Sequence, residues 1–280
     1  MIVIKFFSNF CSSQHCIDTY IRIAQLNDDP YFGNTYRFTN DNDYTHAIII
    51  NTAMPNLNVK KENVIGLAFE PIQFLGLSPD FIRYATNNIG KYYIGDASQL
   101  PNPFMESFTF MWHNEPVPKI VKKPKKMSIM ISNKTSAPGH IYRHKLVRYI
   151  LDSKLNIDIF GRGCAMYSNI IDDRLKGKFK HSYEMLNDYE YHICIENFVT
   201  PHYFSEKIID PLLSNTIPIY IGCANINRYF NNMLYHLTGN LDEDFALIQR
   251  LHDSPRTKEI DIEQVKSQIT IKKLINSLTI

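Results

Sequence analysis

At 280 residues, 44% hydrophobic and 21% charged, the chain has the size and composition of a folded globular protein with room for two domains. A formal net charge of +2 excludes a general nucleic-acid binder, so any phosphate site must be local. No apolar run approaches the roughly 20 residues needed to cross a bilayer.

The chain opens on "IVIKFF" (2–7), which lacks a basic leader and reads as a strand rather than a signal peptide; the expected setting is the cytoplasm. The five cysteines, Cys11, Cys16, Cys164, Cys194 and Cys223, form neither a CxxC motif nor a zinc set and read as reduced thiols. "HAIIIN" (46–51), "NVIGLAF" (63–69), "KYYIG" (91–95) and "FTFMW" (108–112) are expected strands, with helices over 14–26 and 78–85 between them. Apolar strands alternating with helices predict a largely parallel sheet covered on both faces.

"NEPVPKIVKKPKK" (114–126), with three prolines and five lysines, reads as a linker. The rhythm then restarts with strand "MSIMIS" (127–132), a helix from His140 to about Asp152, strand "NIDIFG" (156–161), a helix near 183–189, strand "YHICI" (191–195) and strand "IPIYIG" (217–222). Residues from Asn225 onward read as mainly helical. The expected domains are 1–113, a linker at 114–126, 127–245 and terminal helices at 246–280. Two α/β halves imply a cleft, with ligands at the carboxyl ends of strands.

"ENFVTPHYFSEKIIDPLLSNTIPIYIG" (196–222) carries the most specific chemistry. Ser205 suits an N-cap and Glu206 a first-turn acid, but an ammonium at Lys207 opposes the helix dipole unless an anion is present. Taken singly, Tyr203 fits core packing and Asn197 a turn. Taken together behind a parallel strand, Asn197, Tyr203, Glu206 and Lys207 look like a nucleotide site. Lys207 and the helix amides would hold a diphosphate, and Glu206 would accept ribose hydroxyls.

The same stretch resembles the donor-binding signature of the α-1,3/α-1,4-fucosyltransferases, glycosyltransferase family 10: Glu-Asn, a short variable loop, Tyr-x-(Thr/Ser)-Glu-Lys, a helix, then (Val/Ile)-Pro-(Val/Ile)-Tyr and Gly. Upstream, "SIMISNKTSAPGHIYRHKLVRYI" is similar to the family segment whose Arg opens a helix toward the donor phosphates; Arg143 matches it, while Arg148 lies further from the helix start. "IDIFGRG" resembles the family's strand and Gly-rich turn. The resemblance covers about Met127 to Asn227. It implies a GT-B fold, two Rossmann-like domains facing a central cleft, and an inverting transferase of fucose from GDP-fucose to an acceptor glycan. Donor-binding residues would be Arg143, Asn197, Tyr203, Glu206 and Lys207.

In the N-terminal half, "IGLAFEP" delivers Glu70 from an apolar strand, where the family places its general base. Glu62 and Glu106 do not end such a strand, and Glu115 is a further candidate. The resemblance implies attack with inversion at C1 through an oxocarbenium-like transition state, with Glu70 taking the acceptor proton and Arg143 and Lys207 stabilising departing GDP. The acid clusters Asp41-Asn42-Asp43 and Asp242-Glu243-Asp244 read as solvated surface, so no obligatory metal or other cofactor is expected. Pro211 departs from the family pattern and predicts a short or kinked helix. Alternatives are a transferase of another deoxyhexose, such as that of GDP-rhamnose, or a nonenzymatic nucleotide-sugar or glycan binder.

Overall fold

The computed structural model describes residues 1–26, 29–113 and 122–276. The chain divides into two compact units, one comprising Met1–His113, Thr200–Tyr203 and Lys266–Ile280, the other Asn114–Val199 and Phe204–Val265. The expected linker lies, over 114–121, outside the described residues.

The first unit contains β1 (Ile2–Ser8), α1 (Ser13–Leu26), β2 (Tyr36–Phe38), β3 (His46–Ile50), β4 (Val64–Leu67), α2 (Ile72–Leu75), α3 (Pro79–Asn88), β5 (Lys91–Ile94) and β6 (Phe104–Glu106). The sheet order is β2-β1-β3-β4-β5-β6, and each neighbouring pair is parallel. Period-two alternation within an unbroken apolar run builds both faces. Ile48 and Ile50 join Ile4, Phe6 and Tyr20 in one cluster, while Ala47 and Ile49 join Val3, Val64 and Phe81 in the other.

The aromatic run 108–112, expected to be a strand, is irregular. Phe110 has φ 52°, in the left-handed region, and its carbonyl accepts from the Tyr20 hydroxyl at 2.9 Å instead of from a neighbouring strand. Phe108 and Met111 are nevertheless buried. The run is apolar because it packs, and packing does not require ladder pairing.

The second unit contains β7 (Lys125–Met130), α4 (Pro138–Asp152), β8 (Ile157–Phe160), β9 (Leu175–Gly177), β10 (Tyr189–Thr200), α5 (Glu206–Leu213), β11 (Ile217–Cys223), β12 (Tyr235–His236) and α6 (Leu241–Asp253). After it come α7 (Ile262–Ile269) and α8 (Ile271–Asn276). Strand order is β12-β11-β10-β7-β8-β9. β7 runs parallel to both β8 and β10, with Ile129 opposite Ile159 and Ile193. The chain therefore moves one way from β7 and the other way from β10. Their carboxyl ends flank the point where a doubly wound sheet opens a ligand crevice.

Two local expectations fail here. Residues 183–189 form no α-helix: a 3-10 turn spans Ser182–Met185, and Tyr189 already begins β10. The strand expected to end at Ile195 continues to Thr200, so Asn197 lies within a strand and not in the loop after it. Pro211 sits inside α5, which is only 8 residues long. Among the described residues, no helix is long and apolar enough to cross a membrane.

Candidate active site

β10 delivers Glu196 and Asn197 to the sheet's carboxyl edge on alternate faces. The Glu196 side chain is fully buried. Ser205, the N-cap of α5, donates its hydroxyl to Glu196 Oε1 at 2.8 Å and its backbone N–H to the same oxygen at 2.9 Å. The serine oxygen in turn accepts from Lys207 N at 3.3 Å and Lys207 Nζ at 3.0 Å. Lys207 Nζ lies 3.4 Å from Glu196 Oε2 and 3.2 Å from Glu206 Oε1. The anion that the α5 tip demands is thus supplied first by the chain's own Glu196.

Burial works against the charge on Lys207, but the Glu196 and Glu206 carboxylates outweigh it and hold the ammonium pKa above the ordinary lysine value. Burial likewise opposes ionisation of Glu206, and Lys207 reverses the balance, leaving its pKa below the ordinary value. Room for the buried carboxylate depends on Gly222 in β11. A Cβ there would lie 2.3 Å from Glu196 Cγ and 2.5 Å from the Tyr220 hydroxyl.

On the other side of β10, Arg143 is 3% exposed and donates from Nη2 to Asn197 Oδ1 at 2.6 Å. It sits in the second turn of α4, whose start presses against β10: a Cβ on Gly139 would approach the Glu196 carbonyl oxygen to 1.8 Å. His140, 4% exposed, accepts the Ala137 N–H on Nδ1 at 3.2 Å, which places the neutral ring's proton on Nε2. Burial depresses its pKa to about 4, with Arg143, Lys134 and Lys207 adding to the effect. Burial does most of this, and the cations Arg143, Lys134 and Lys207 around the ring make the α4 start electropositive.

A cavity of about 380 Å³ lies beyond β7 and β8, bordered by Ser132, Lys134, Gly161, Arg162 and Lys178. Gly161 has φ 108°, and a Cβ there would meet the Ile131 carbonyl oxygen at 2.1 Å, so the turn after β8 requires glycine. A second cavity of about 130 Å³ is lined by Phe179, His192, Glu206, Lys207 and Asp210.

Residues 120–253 match the family model described as glycosyltransferase family 10 (fucosyltransferase) C-term. This region, just under half of the chain, is similar to a glycosyltransferase family 10 domain. Over 76 residues, 26% of this chain, the sequence is 38% identical to the α-(1,3)-fucosyltransferase of Helicobacter pylori, covering 16% of that protein. Over 136 residues, 44% of this chain, it is 28% identical to α-(1,3)-fucosyltransferase B of Drosophila melanogaster, covering 30% of that protein. The aligned regions thus span less than a third of these curated relatives. A crystal structure of an α1,3-fucosyltransferase superposes with TM-score 0.56 at 16% identity, covering 99% of this chain and 89% of that one. A crystal structure of α1,3-fucosyltransferase with GDP-fucose gives the same score and identity, covering 99% of this chain and 90% of that one. The fold is that of the GT-B glycosyltransferases.

Within the matched region, Arg143, Asn197, Glu206 and Lys207 gather at the crevice edge, in two tied pairs, Arg143–Asn197 and Lys207–Glu206. Tyr203 is elsewhere. It is 3% exposed and packs in the first unit's apolar core with Met111 and Phe69. Glu70 is exposed in a bend beyond β4 in the first unit. Sequence reasoning did not single out Glu196 and His140, which sit at the α5 and α4 starts, or Lys134, Arg162 and Lys178, which border the larger cavity. Glu196 was visible in the Glu-Asn pair, but nothing in sequence indicated that it faces Lys207.

The acid cluster at 242–244 also needs correction. Asp244 is 1% exposed and accepts from Thr238 N, Gly239 N and the Tyr142 hydroxyl, so it is a buried tie for the α6 start and not solvated surface. Among the described residues, no group of three or more His, Cys, Asp or Glu is placed to hold a metal ion.

Proposed function

We propose that the protein is an inverting glycosyltransferase that moves fucose from GDP-fucose to a hydroxyl of an acceptor glycan, in an α-1,3-type transfer. The observation carrying this reading is that Arg143, buried, and Lys207, half-buried, are two cations anchored to consecutive residues of one strand, Asn197 and Glu196. Cations held in place before the reaction stabilise charge that develops on a leaving diphosphate without reorganising. Arg143 offers a planar fork for two phosphate oxygens, and Lys207 a point charge.

Glu206 accepts ribose hydroxyls at the α5 start. Glu70 takes the proton from the acceptor hydroxyl as that oxygen attacks C1 of the fucose. The C1–O bond to the diphosphate breaks on the opposite face, and GDP leaves with the bonding electron pair. Arg143 and Lys207 supply the positive charge at the leaving group, so no divalent ion is required. The domains read from sequence assign Glu70 and the acceptor to the first unit and the donor to the second.

The test is GDP release from GDP-fucose, GDP-rhamnose and GDP-mannose, with and without an acceptor array and with and without chelator, with product linkage read by NMR. Acceptor-dependent release from GDP-fucose in chelator, giving an inverted product, is the expected result. Preference for GDP-rhamnose would replace the donor, and binding without turnover of any donor would make the protein a nonenzymatic nucleotide-sugar binder.

A further inference from the structure

Glu70 follows the end of β4, and the last peptide before it is held by Asn51, a residue 19 positions earlier in the chain. β3 stops at Ile50, and Asn51 turns the chain away at φ 54°, in the left-handed region that residues other than glycine seldom adopt. The turn is tied at three points. Asn51 N donates to the Leu67 carbonyl at 2.8 Å, and the Tyr92 hydroxyl donates to the Asn51 carbonyl at 2.8 Å. Asn51 Oδ1 accepts from Phe69 N, also at 2.8 Å.

A central parallel strand is bonded to a neighbour on each side. Past Leu67 the chain keeps that arrangement without a regular ladder: Ala68 N donates to the Tyr93 carbonyl on the β5 side, and Phe69 N to Asn51 on the β3 side. Because Asn51 has turned away, its amide oxygen stands in for the carbonyl that a longer β3 would supply. Without that oxygen a buried N–H loses its partner. The Phe69 ring is buried edge-on to Trp112 at 5.4 Å, and Pro71 follows at φ −63° ahead of α2. The exposed Glu70 thus stands between two fixed backbone points.

Building on the proposed function, with Glu70 as the base, we infer that Asn51 is a positioning residue for transfer. Its amide oxygen, by holding the Phe69 peptide, sets the backbone from which the Glu70 carboxylate reaches the acceptor hydroxyl. Asparagine meets two demands here: a positive φ, which glycine would also meet, and an acceptor at Oδ1, which glycine lacks. Aspartate meets both. A strained backbone maintained next to a reacting group is the usual mark of such a role.

The experiment measures acceptor-dependent GDP release at saturating GDP-fucose, calorimetric affinity for GDP-fucose and melting temperature, all on the full chain. Asn51→Gly, which keeps the φ and removes the acceptor, is expected to slow release about 10–100-fold, the scale of a misplacement of about 1 Å, with donor affinity unchanged. Asn51→Asp is expected to recover most of that loss. Tyr92→Phe, which frees only the Asn51 carbonyl and keeps the buried ring, is the milder second variant and is expected to give a smaller loss. In a Glu70→Gln background neither Asn51→Gly nor Tyr92→Phe should slow release further, because a residue acting through Glu70 has nothing left to position. A lowered melting temperature with an unchanged rate in both variants, or the same loss with and without Glu70, overturns the inference and leaves the base standing. A wild-type rate in Glu70→Gln, or no turnover by the wild type, overturns both.

Discussion

Lys207 Nζ lies 3.4 Å from Oε2 of the fully buried Glu196, although the chain between them passes through Thr200–Tyr203, which belongs to the other unit. A buried carboxylate and its ammonium are expensive to separate, because whichever remains has lost its water and its partner. Glu196→Gln should therefore destabilise the fold by about 3–5 kcal/mol in urea unfolding. Adding Lys207→Met should recover part of that loss. A double-mutant cycle with no coupling would show that the pair is incidental.

The close contact at Gly139 makes a second expectation. Its missing Cβ is what lets α4 rest on β10, and the Glu196 carbonyl that a methyl would meet at 1.8 Å is backbone and cannot swing away. Gly139→Ala should cost about 1–3 kcal/mol or more and lower GDP affinity as well, since α4 also carries Arg143. Thermal melting and calorimetry on one preparation read both effects, and an unchanged melting temperature would contradict the packing described.

Arg143→Ala should weaken GDP binding by about 10–100-fold, the range expected when a charge-assisted hydrogen bond is lost. Arg143→Lys should restore little, because a lysine cannot reach both Asn197 and a phosphate as a planar fork can. Full rescue by lysine would mean that only charge matters at this position.

Glu70→Gln separates binding from chemistry. If Glu70 is the base, kcat for transfer falls by about 10²–10⁴ while calorimetric affinity for GDP-fucose is unchanged. Transfer at the wild-type rate would move the base elsewhere, with Glu115 next to be tested.

Stability should fall on mild acidification. Burial holds the pKa of His140 down to about 4 and that of His192 down to about 3, against 6.5 for an ordinary histidine. The folded chain thus binds fewer protons than the unfolded one, and stability present above pH 6.5 is lost as pH falls from there toward 4. Melting temperatures at pH 7, 5.5 and 4.5 should decline, with a shallower decline in His140→Gln and His192→Asn. Asp158 is different: burial raises its pKa, but hydrogen bonds from Tyr189 and Lys125 win, so its contribution is lost only below about 3.8.

The sequence by itself determined the alternation of short apolar strands with helices in both halves, because those signals are local: period two within a run, an N-cap at Ser205, glycine in the turn at Gly161. It also carried the ordered donor motif, since residues on one strand end and the next helix start are close in the chain. Tertiary structure decided what faces what. Residues 108–112 have strand-like composition, yet Phe110 turns left-handed and its carbonyl goes to Tyr20. Tyr203 sits in the motif by spacing, but its ring is buried in the first unit's core. Asp244 reads as one of three surface acids until its donors from Thr238, Gly239 and Tyr142 are seen. Lys207 reads as a cation awaiting a ligand until Glu196 is seen beneath it. Spacing along a chain records which groups can be neighbours, whereas the partner that removes a buried charge's solvation cost comes from whichever segment the packed core brings there.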